Sequence, residues 1–177
     1  MELIRSKDDL KLFLSGRGFA EKVIGFVPTM GALHQGHLSL IEAASGQSDV
    51  VIVSIFVNPT QFNDPEDLRN YPRNLEKDLA MIADQGKTAI VFAPEVNDIY
   101  PEPDLRKFDF GNLDKVMEGS QRPGHFNGVA QVVSKLFAIV NPHKAFFGQK
   151  DFQQLAIIRQ LVKQGFISAT ALDTSSA

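Results

Sequence analysis

The chain has 177 residues, of which 44% are hydrophobic and 22% are charged, with a formal net charge of −3 and no cysteine. This composition suits one globular domain and argues against intrinsic disorder. It also argues against a broad electrostatic nucleic-acid binder, against disulfides and cysteine chemistry, and against a transmembrane helix. Because the first residues are too charged for a secretory signal, we expect a cytoplasmic protein without a membrane or nucleic-acid partner.

The predicted elements are short apolar strands alternating with helices. Ser6 followed by Asp9 resembles a capping box, which predicts a short first helix. Uninterrupted apolar runs predict strands at 23–27, 49–57, 88–92 and 145–147. Helical segments at 36–45 and 74–85 lie between these strands, and apolar residues at helical spacing predict helices at 128–140 and 151–163. Uninterrupted apolar strands are typical of a sheet covered on both faces, so the fold class is α/β, with a doubly wound parallel sheet.

The domain organisation follows from where the apolar pattern ends. We expect residues 1–165 to form one domain and residues 166–177 to be a tail, because the last residues are small and polar without a core pattern. Such a tail resembles a truncation scar, a frameshift or cloning residue. Since ligands of open α/β sheets bind beyond the carboxyl ends of the strands, functional residues should follow the predicted strands directly.

Polar clusters stand at the ends of three predicted strands. They are PTMGALHQGH at 28–37, NPTQF at 58–62 and GQKDFQQ at 148–154. A fourth cluster, EGSQRPGHFNG at 118–128, precedes the long apolar helix. Parallel strands bring these ends to one edge of the sheet, so we expect one site there.

A pair of histidines, His34 and His37, lies where the helix after the first strand begins, with Gly36 between them. The free N–H groups and positive dipole end of this helix would suit a phosphate, and two imidazoles could donate to its oxygens. A capping histidine, a core histidine or half of a zinc site are the alternatives that this pair leaves open.

The motif H-x-G-H after a first strand is similar to the signature of the nucleotidyltransferase superfamily. Together with SIFVNPTQF, YPRNLEKDL, EGSQRPGHFNGV and FFGQKDFQQL, it makes the chain resemble the pantothenate synthetases, or pantoate–β-alanine ligases, from about residue 23 to about residue 162. The resemblance implies a Rossmann-like nucleotidyltransferase fold and an ATP-dependent condensation of pantoate with β-alanine. The reaction of the family proceeds through pantoyl adenylate, in coenzyme A biosynthesis, and full-length relatives form homodimers.

The resemblance also implies residue roles. The positions matching catalytic residues are His34, His37 and Lys150. Those matching the ATP site are Met30, His34, His37, Gly148, Lys150 and Asp151. Those matching the pantoate site are Met30, Asn58, Gln61 and Gln154. Asp78 matches an acidic position implicated in Mg²⁺ binding, next to Lys77, where some relatives are acidic.

Each of these roles has a structural alternative. Asn58 before Pro59 could cap a turn, Asp151 could cap its helix, and Lys150 could be a solvated surface lysine. Asp78 could be an ordinary helix-face carboxylate, and His125 could only brace the loop before the long helix.

Members of the family continue into a smaller C-terminal lid domain with a Ser-Ser-Arg loop, a sequence that does not occur here. We therefore expect this chain to be the N-terminal domain, with little activity alone. The alternatives are a nucleotide- or pantoate-binding fragment without turnover, and another H-x-G-H nucleotidyltransferase. The paired glutamines argue against the latter, because a phosphorylated acceptor would favour Arg or Lys.

Overall fold

The computed structural model describes residues 1–16, 18–85, 89–111, 124–148 and 152–174. Its centre is a sheet of six strands, which are β1 (Glu2–Ile4), β2 (Ile24–Thr29), β3 (Val50–Ile55), β4 (Ile90–Phe92), β5 (Lys144–Gly148) and β6 (Thr170–Thr174). The strand order is β1-β4-β3-β2-β5-β6, and every neighbouring pair is parallel. The predicted doubly wound parallel α/β fold is confirmed.

The helices cover both faces of this sheet. They are α1 (Lys7–Ser15), α2 (Gln35–Gln47), α3 (Pro65–Asn70), α4 (Leu75–Ala83), α5 (Val96–Ile99), α6 (His125–Val140) and α7 (Phe152–Lys163). The hydroxyl of Ser6 accepts from the amide of Asp9 at 3.1 Å, which confirms the predicted cap of α1. α2 and α6 extend beyond the predicted ranges, whereas α4 begins one residue after its predicted start, since Asn74 is its cap.

Two apolar clusters explain why the strands read as continuous apolar runs. Phe26 and Ile52 point into one cluster, with α1, α6 and α7, while Val27 and Val53 point into the other, with α2 and α4. Successive side chains of a strand alternate between faces, so a strand buried on both faces has no polar positions. The central strands are therefore the ones that the sequence reveals.

The two edge strands were not predicted. β1 has three residues and pairs with β4, and β6 pairs with β5 along five positions, from Lys144↔Thr170 to Gly148↔Thr174. The expectation that 166–177 is a tail outside the domain was wrong for Thr170–Thr174, which joins the sheet, and Ile167 before it is buried against the first cluster. Pairing at a sheet edge depends on backbone hydrogen bonds, so a short edge strand needs no long apolar run.

Replacing Phe26 with alanine is expected to lower the free energy of unfolding by about 3–5 kcal/mol, because deletion of a core aromatic side chain leaves a cavity. Phe26 is fully buried and its ring meets that of Phe137 edge-on at 5.4 Å. Leu12→Ala is the control, since Leu12 is 73% exposed and its loss should cost about 0.5 kcal/mol or less. Chemical denaturation measures both, and equal losses would contradict this assignment of the core.

Candidate functional site

The candidate site lies at the carboxyl ends of β2, β3 and β5. From β2 the sheet continues to β3 and β4 on one side and to β5 and β6 on the other, so the strand order reverses between β2 and β5. Segment 28–37 begins within β2 and runs into α2, segment 58–62 follows β3, and Gly148 is the last residue of β5. The described parts of these segments therefore begin at the same edge of the sheet. Ligands of open α/β sheets bind at such a reversal.

The turn between β2 and α2 has an unusual backbone. Gly31 and Ala32 both have positive φ, at 80° and 52°. The amide of Gly31 donates to Thr29 Oγ1 at 3.1 Å. The amides of Ala32 and Leu33 donate to the two carboxylate oxygens of Asp78, at 3.2 Å to Oδ2 and 2.9 Å to Oδ1. Three successive backbone donors are thus satisfied by side chains, which fixes the path of the chain into α2.

His34 and His37 cap the start of α2 reciprocally. Nδ1 of His34 accepts from the amide of Gly36 at 3.0 Å, and Nδ1 of His37 accepts from the amide of His34 at 3.1 Å. A ring nitrogen that accepts carries no proton, so each neutral imidazole carries its proton on Nε2. The ring centroids lie 4.0 Å apart. The capping alternative is therefore correct, and it leaves each Nε2–H available to a ligand.

The protonation of His37 follows from its surroundings. Burial and the neighbouring His34 lower the pKa of His37 to about 4, against a smaller opposing effect of Asp78. The ring is therefore neutral at neutral pH. A pair of Nε2–H donors beside the N-terminal end of a helix favours an anion, by hydrogen bonding and by the helix dipole. Across the ranges described, no three His, Asp or Glu side chains are grouped to hold a metal ion, so the zinc alternative has no support there.

The second part of the site is the 3₁₀ turn Pro59–Gln61 after β3. Asn58 caps this turn, is 1% exposed, and donates through Nδ2 to the carbonyl of Gly128 at 3.0 Å and to Gln61 Oε1 at 3.2 Å. Its Oδ1 accepts from the hydroxyl of Tyr100 at 2.7 Å. The amide of Asn58 is thus used entirely within the protein, and it orients the amide of Gln61.

The amide of Gln61 also contacts the first part of the site, because its Nε2 donates to Met30 Sδ at 3.4 Å. Oε1 faces Asn58 and Nε2 faces Met30, so the orientation of this amide is defined from both ends. Gln61 and Met30 are each half-buried. The segments after β2 and β3 therefore join in one contact, as the sequence predicts.

Tyr100 is a member of the site that sequence reasoning missed. Burial raises its pKa to about 12, so its hydroxyl keeps the proton that it donates to Asn58. It lies at the end of α5, within a stretch of irregular sequence that gives no periodic signal. Nδ1 of His125 lies 3.1 Å from the carbonyl oxygen of Gln61, so the start of α6 contacts the turn after β3.

The other candidate residues belong to segment 148–154. Gln154 is half-buried in the first turn of α7, beyond the end of β5, and Gly148 is buried. Lys150 and Asp151 lie outside the described residues. A cavity of about 310 Å³ is lined by Met30 and Gly31, and its lining also includes Asp78, Arg5 and Arg73.

The neutrality of His37 predicts a pH dependence. The unfolded chain binds a proton at this residue below about pH 6.5, whereas the folded protein does so only near pH 4. Stability should therefore fall as the pH drops from about 6.5 to about 4, because the unfolded state binds more protons in that interval. His37→Gln keeps an acceptor for the amide of His34 and does not titrate. Denaturation at a series of pH values should show a shallower fall for this variant, and an unchanged slope would contradict the assignment.

The contact between α6 and the turn Pro59–Gln61 predicts a second effect. A Cβ on Gly128 would clash with the carbonyl oxygen of Thr60. Gly128→Ala must push the two backbones apart and should cost about 1–3 kcal/mol of stability. Gly46→Ala is the matched control, because a Cβ there meets nothing within 4 Å and alanine is the better helix former. Thermal or chemical denaturation distinguishes them, and equal behaviour would show that the contact is loose.

Comparisons with known proteins assign the family of this doubly wound α/β chain. The family model described as pantoate-beta-alanine ligase matches residues 2–174, so the chain belongs to that family. Pantothenate synthetase of Phocaeicola vulgatus is 58% identical over 164 residues, and that of Porphyromonas gingivalis is 57% identical over 162 residues. These alignments cover 93% and 92% of this chain, but 58% and 57% of the relatives. The chain thus spans less than two thirds of the length of these relatives.

Solved structures agree with this assignment. The pantoate-beta-alanine ligase of Francisella tularensis, crystallised with beta-gamma ATP and beta-alanine, superposes with a TM-score of 0.90 at 41% identity. Pantothenate synthetase of Thermus thermophilus superposes with a TM-score of 0.85 at 40% identity. Both matches cover all of this chain, and 68% and 63% of the other chain.

Within the described part, none of the helices is long and apolar enough to cross a membrane.

Proposed function

We propose that this chain carries the pantoate and ATP sites of an ATP-dependent pantoate–β-alanine ligase. The observation that carries the proposal is the reciprocal capping of His34 and His37, which leaves two Nε2–H donors at the start of α2, where the strand order reverses. These donors suit the oxygens of a triphosphate. The Francisella tularensis relative, crystallised with beta-gamma ATP and beta-alanine, supports ATP as the nucleotide.

In the first step a carboxylate oxygen of pantoate attacks the α-phosphorus of ATP. An oxygen–phosphorus bond forms, the bond from this phosphorus to pyrophosphate breaks, and pantoyl adenylate results. A carboxylate is already ionised at neutral pH, so the step needs no general base. It needs two anions held in line and charge stabilised on the phosphates. His34 and His37 supply neutral donors for this purpose, and Lys150 supplies a positive charge.

In the second step the neutral amine of β-alanine attacks the carbonyl carbon of pantoyl adenylate. The carbon–nitrogen bond of the amide forms, the carbon–oxygen bond to AMP breaks, and the amine nitrogen loses a proton to the solvent. The contribution of the enzyme is again alignment, because the adenylate is already an activated acyl group.

Pantoate binding is assigned to Gln61 and Gln154, whose amides can both donate and accept, as a hydroxy acid requires. The bond from Asn58 to Oε1 of Gln61 supports this role, because it fixes which end of the amide faces Met30. Asn58 then acts through Gln61, since its own groups are all bonded within the protein.

Magnesium, which the family resemblance implies, fits the described residues poorly. The two oxygens of its candidate ligand, Asp78, accept from backbone amides. Groups of three metal-ligating side chains are also missing from the described ranges. Neither step of the proposed reaction therefore involves a metal bound to the protein. The homodimer and the cytoplasmic location expected from the sequence stay predictions.

Calorimetry with pantoate and with ATP tests the proposal. Gln61→Ala should weaken pantoate binding by about 1–3 kcal/mol, because a ligand group loses its partner in a half-buried site, and it should spare ATP binding. Gln47→Ala is the control, since Gln47 is exposed at the opposite end of α2. Equal loss of both ligands would contradict the assignment of Gln61.

An assay of pyrophosphate and AMP release, with pantoate, β-alanine and ATP, shows whether these 177 residues suffice for turnover. Binding of both ligands without release would assign the chain as a binding fragment. Release with a phosphorylated acceptor in place of pantoate would assign another nucleotidyltransferase. The proposal for this chain would be overturned if the chain failed to bind pantoate, ATP or both.

A further inference from the structure

Asp78 contacts turn 31–33, which leads from β2 to His34 and His37. It belongs to the first turn of α4, is 3% exposed, and receives the amides of Ala32 and Leu33 on its two oxygens. Consecutive backbone N–H groups in a turn with positive φ form a concavity for an anion. Here the side chain of the protein itself fills that concavity.

We propose that Asp78 is a positioning residue, which acts on His34 and His37 through turn 31–33, and is not a ligand of Mg²⁺. The part of this inference that concerns ATP rests on the proposed function.

The geometry opposes a metal role. Each oxygen of Asp78 already accepts from a backbone amide, so a cation would have only the remaining lone pairs of a carboxylate that two amides hold in place. Mg²⁺ requires a near-octahedral shell at about 2.0–2.1 Å and usually keeps several waters. Asp78 borders the cavity beside Met30, yet its exposed fraction of 3% leaves little room for such a shell.

The positioning role follows from the connections of the turn. Leu33, bonded to Asp78, directly precedes His34, whose amide donates to His37. At the start of the turn, a Cβ on Gly31 would lie 3.1 Å from Asp78 Oδ2 and 3.2 Å from Ile55 Cγ2. The turn is thus confined between the carboxylate and the end of β3. Release of the carboxylate would free the residues that place both imidazoles.

The test compares Asp78→Asn with Glu76→Gln, which removes a carboxylate from an exposed position of the same helical turn. Asparagine offers one acceptor instead of two, so hydrogen exchange by NMR should quicken at Ala32 or Leu33 in Asp78→Asn and stay unchanged in Glu76→Gln. ATP affinity, measured by calorimetry with Mg²⁺ and again with EDTA, should fall about tenfold in both conditions in Asp78→Asn.

A metal ligand would behave differently. If Asp78 ligated Mg²⁺, Asp78→Asn would weaken ATP binding only with Mg²⁺ and would leave binding in EDTA unchanged or tighter. The amides of Ala32 and Leu33 would stay protected from exchange. That result overturns the proposal. Should Asp78→Asn fail to fold, Gly31→Ala presses on the same carboxylate and should give quicker exchange and weaker ATP binding in both conditions. Unchanged exchange in Gly31→Ala would likewise overturn it. Absence of ATP binding by the unaltered chain would contradict the proposed function, while the exchange result would still decide the role of Asp78 in the turn.

Discussion

The backbone amides at the end of β2 must find acceptors, and this requirement shapes the candidate site. Three amides of turn 31–33 and two at the start of α2 lie beyond the last bond of the strand. In the turn, which is partly or fully buried, an amide without a partner is costly, and at the more exposed start of α2 side chains also supply the acceptors. Thr29 and Asp78 serve the turn, and the two histidines serve the helix. Because the histidines accept through Nδ1, the same requirement determines which nitrogen of each ring carries the proton.

A second network extends this order to the segment after β3. Asn58 links the turn Pro59–Gln61 to the carbonyl of Gly128 and to the hydroxyl of Tyr100. The close approach of α6 to this turn requires glycine at position 128. Elements that are distant in the chain thereby position one glutamine amide beside Met30. Buried polar networks of this kind specify a single arrangement when every member is satisfied.

The central strands and their helices were predictable because burial on two faces leaves an apolar run, as at 49–57. β1 and β6 were not, because edge pairing rests on the backbone. In the site, the sequence indicated that His34, His37, Asn58 and Gln61 lie at one edge, since each follows a strand. The proton positions of the imidazoles, the internal use of the Asn58 amide and the role of Tyr100 depend on contacts between distant segments. No local pattern encodes such contacts.

The capping of α2 by its own histidines has a consequence for the range over which this edge of the sheet attracts an anion. A fixed cation acts over roughly a Debye length, about 8 Å at physiological ionic strength, and draws any anion. The neutral Nε2–H groups carry no net charge, so their attraction weakens much faster with distance and is little altered by dissolved salt. They distinguish anions by the placement of their oxygens at contact. Long-range attraction of the anion therefore depends on positively charged side chains near the two histidines.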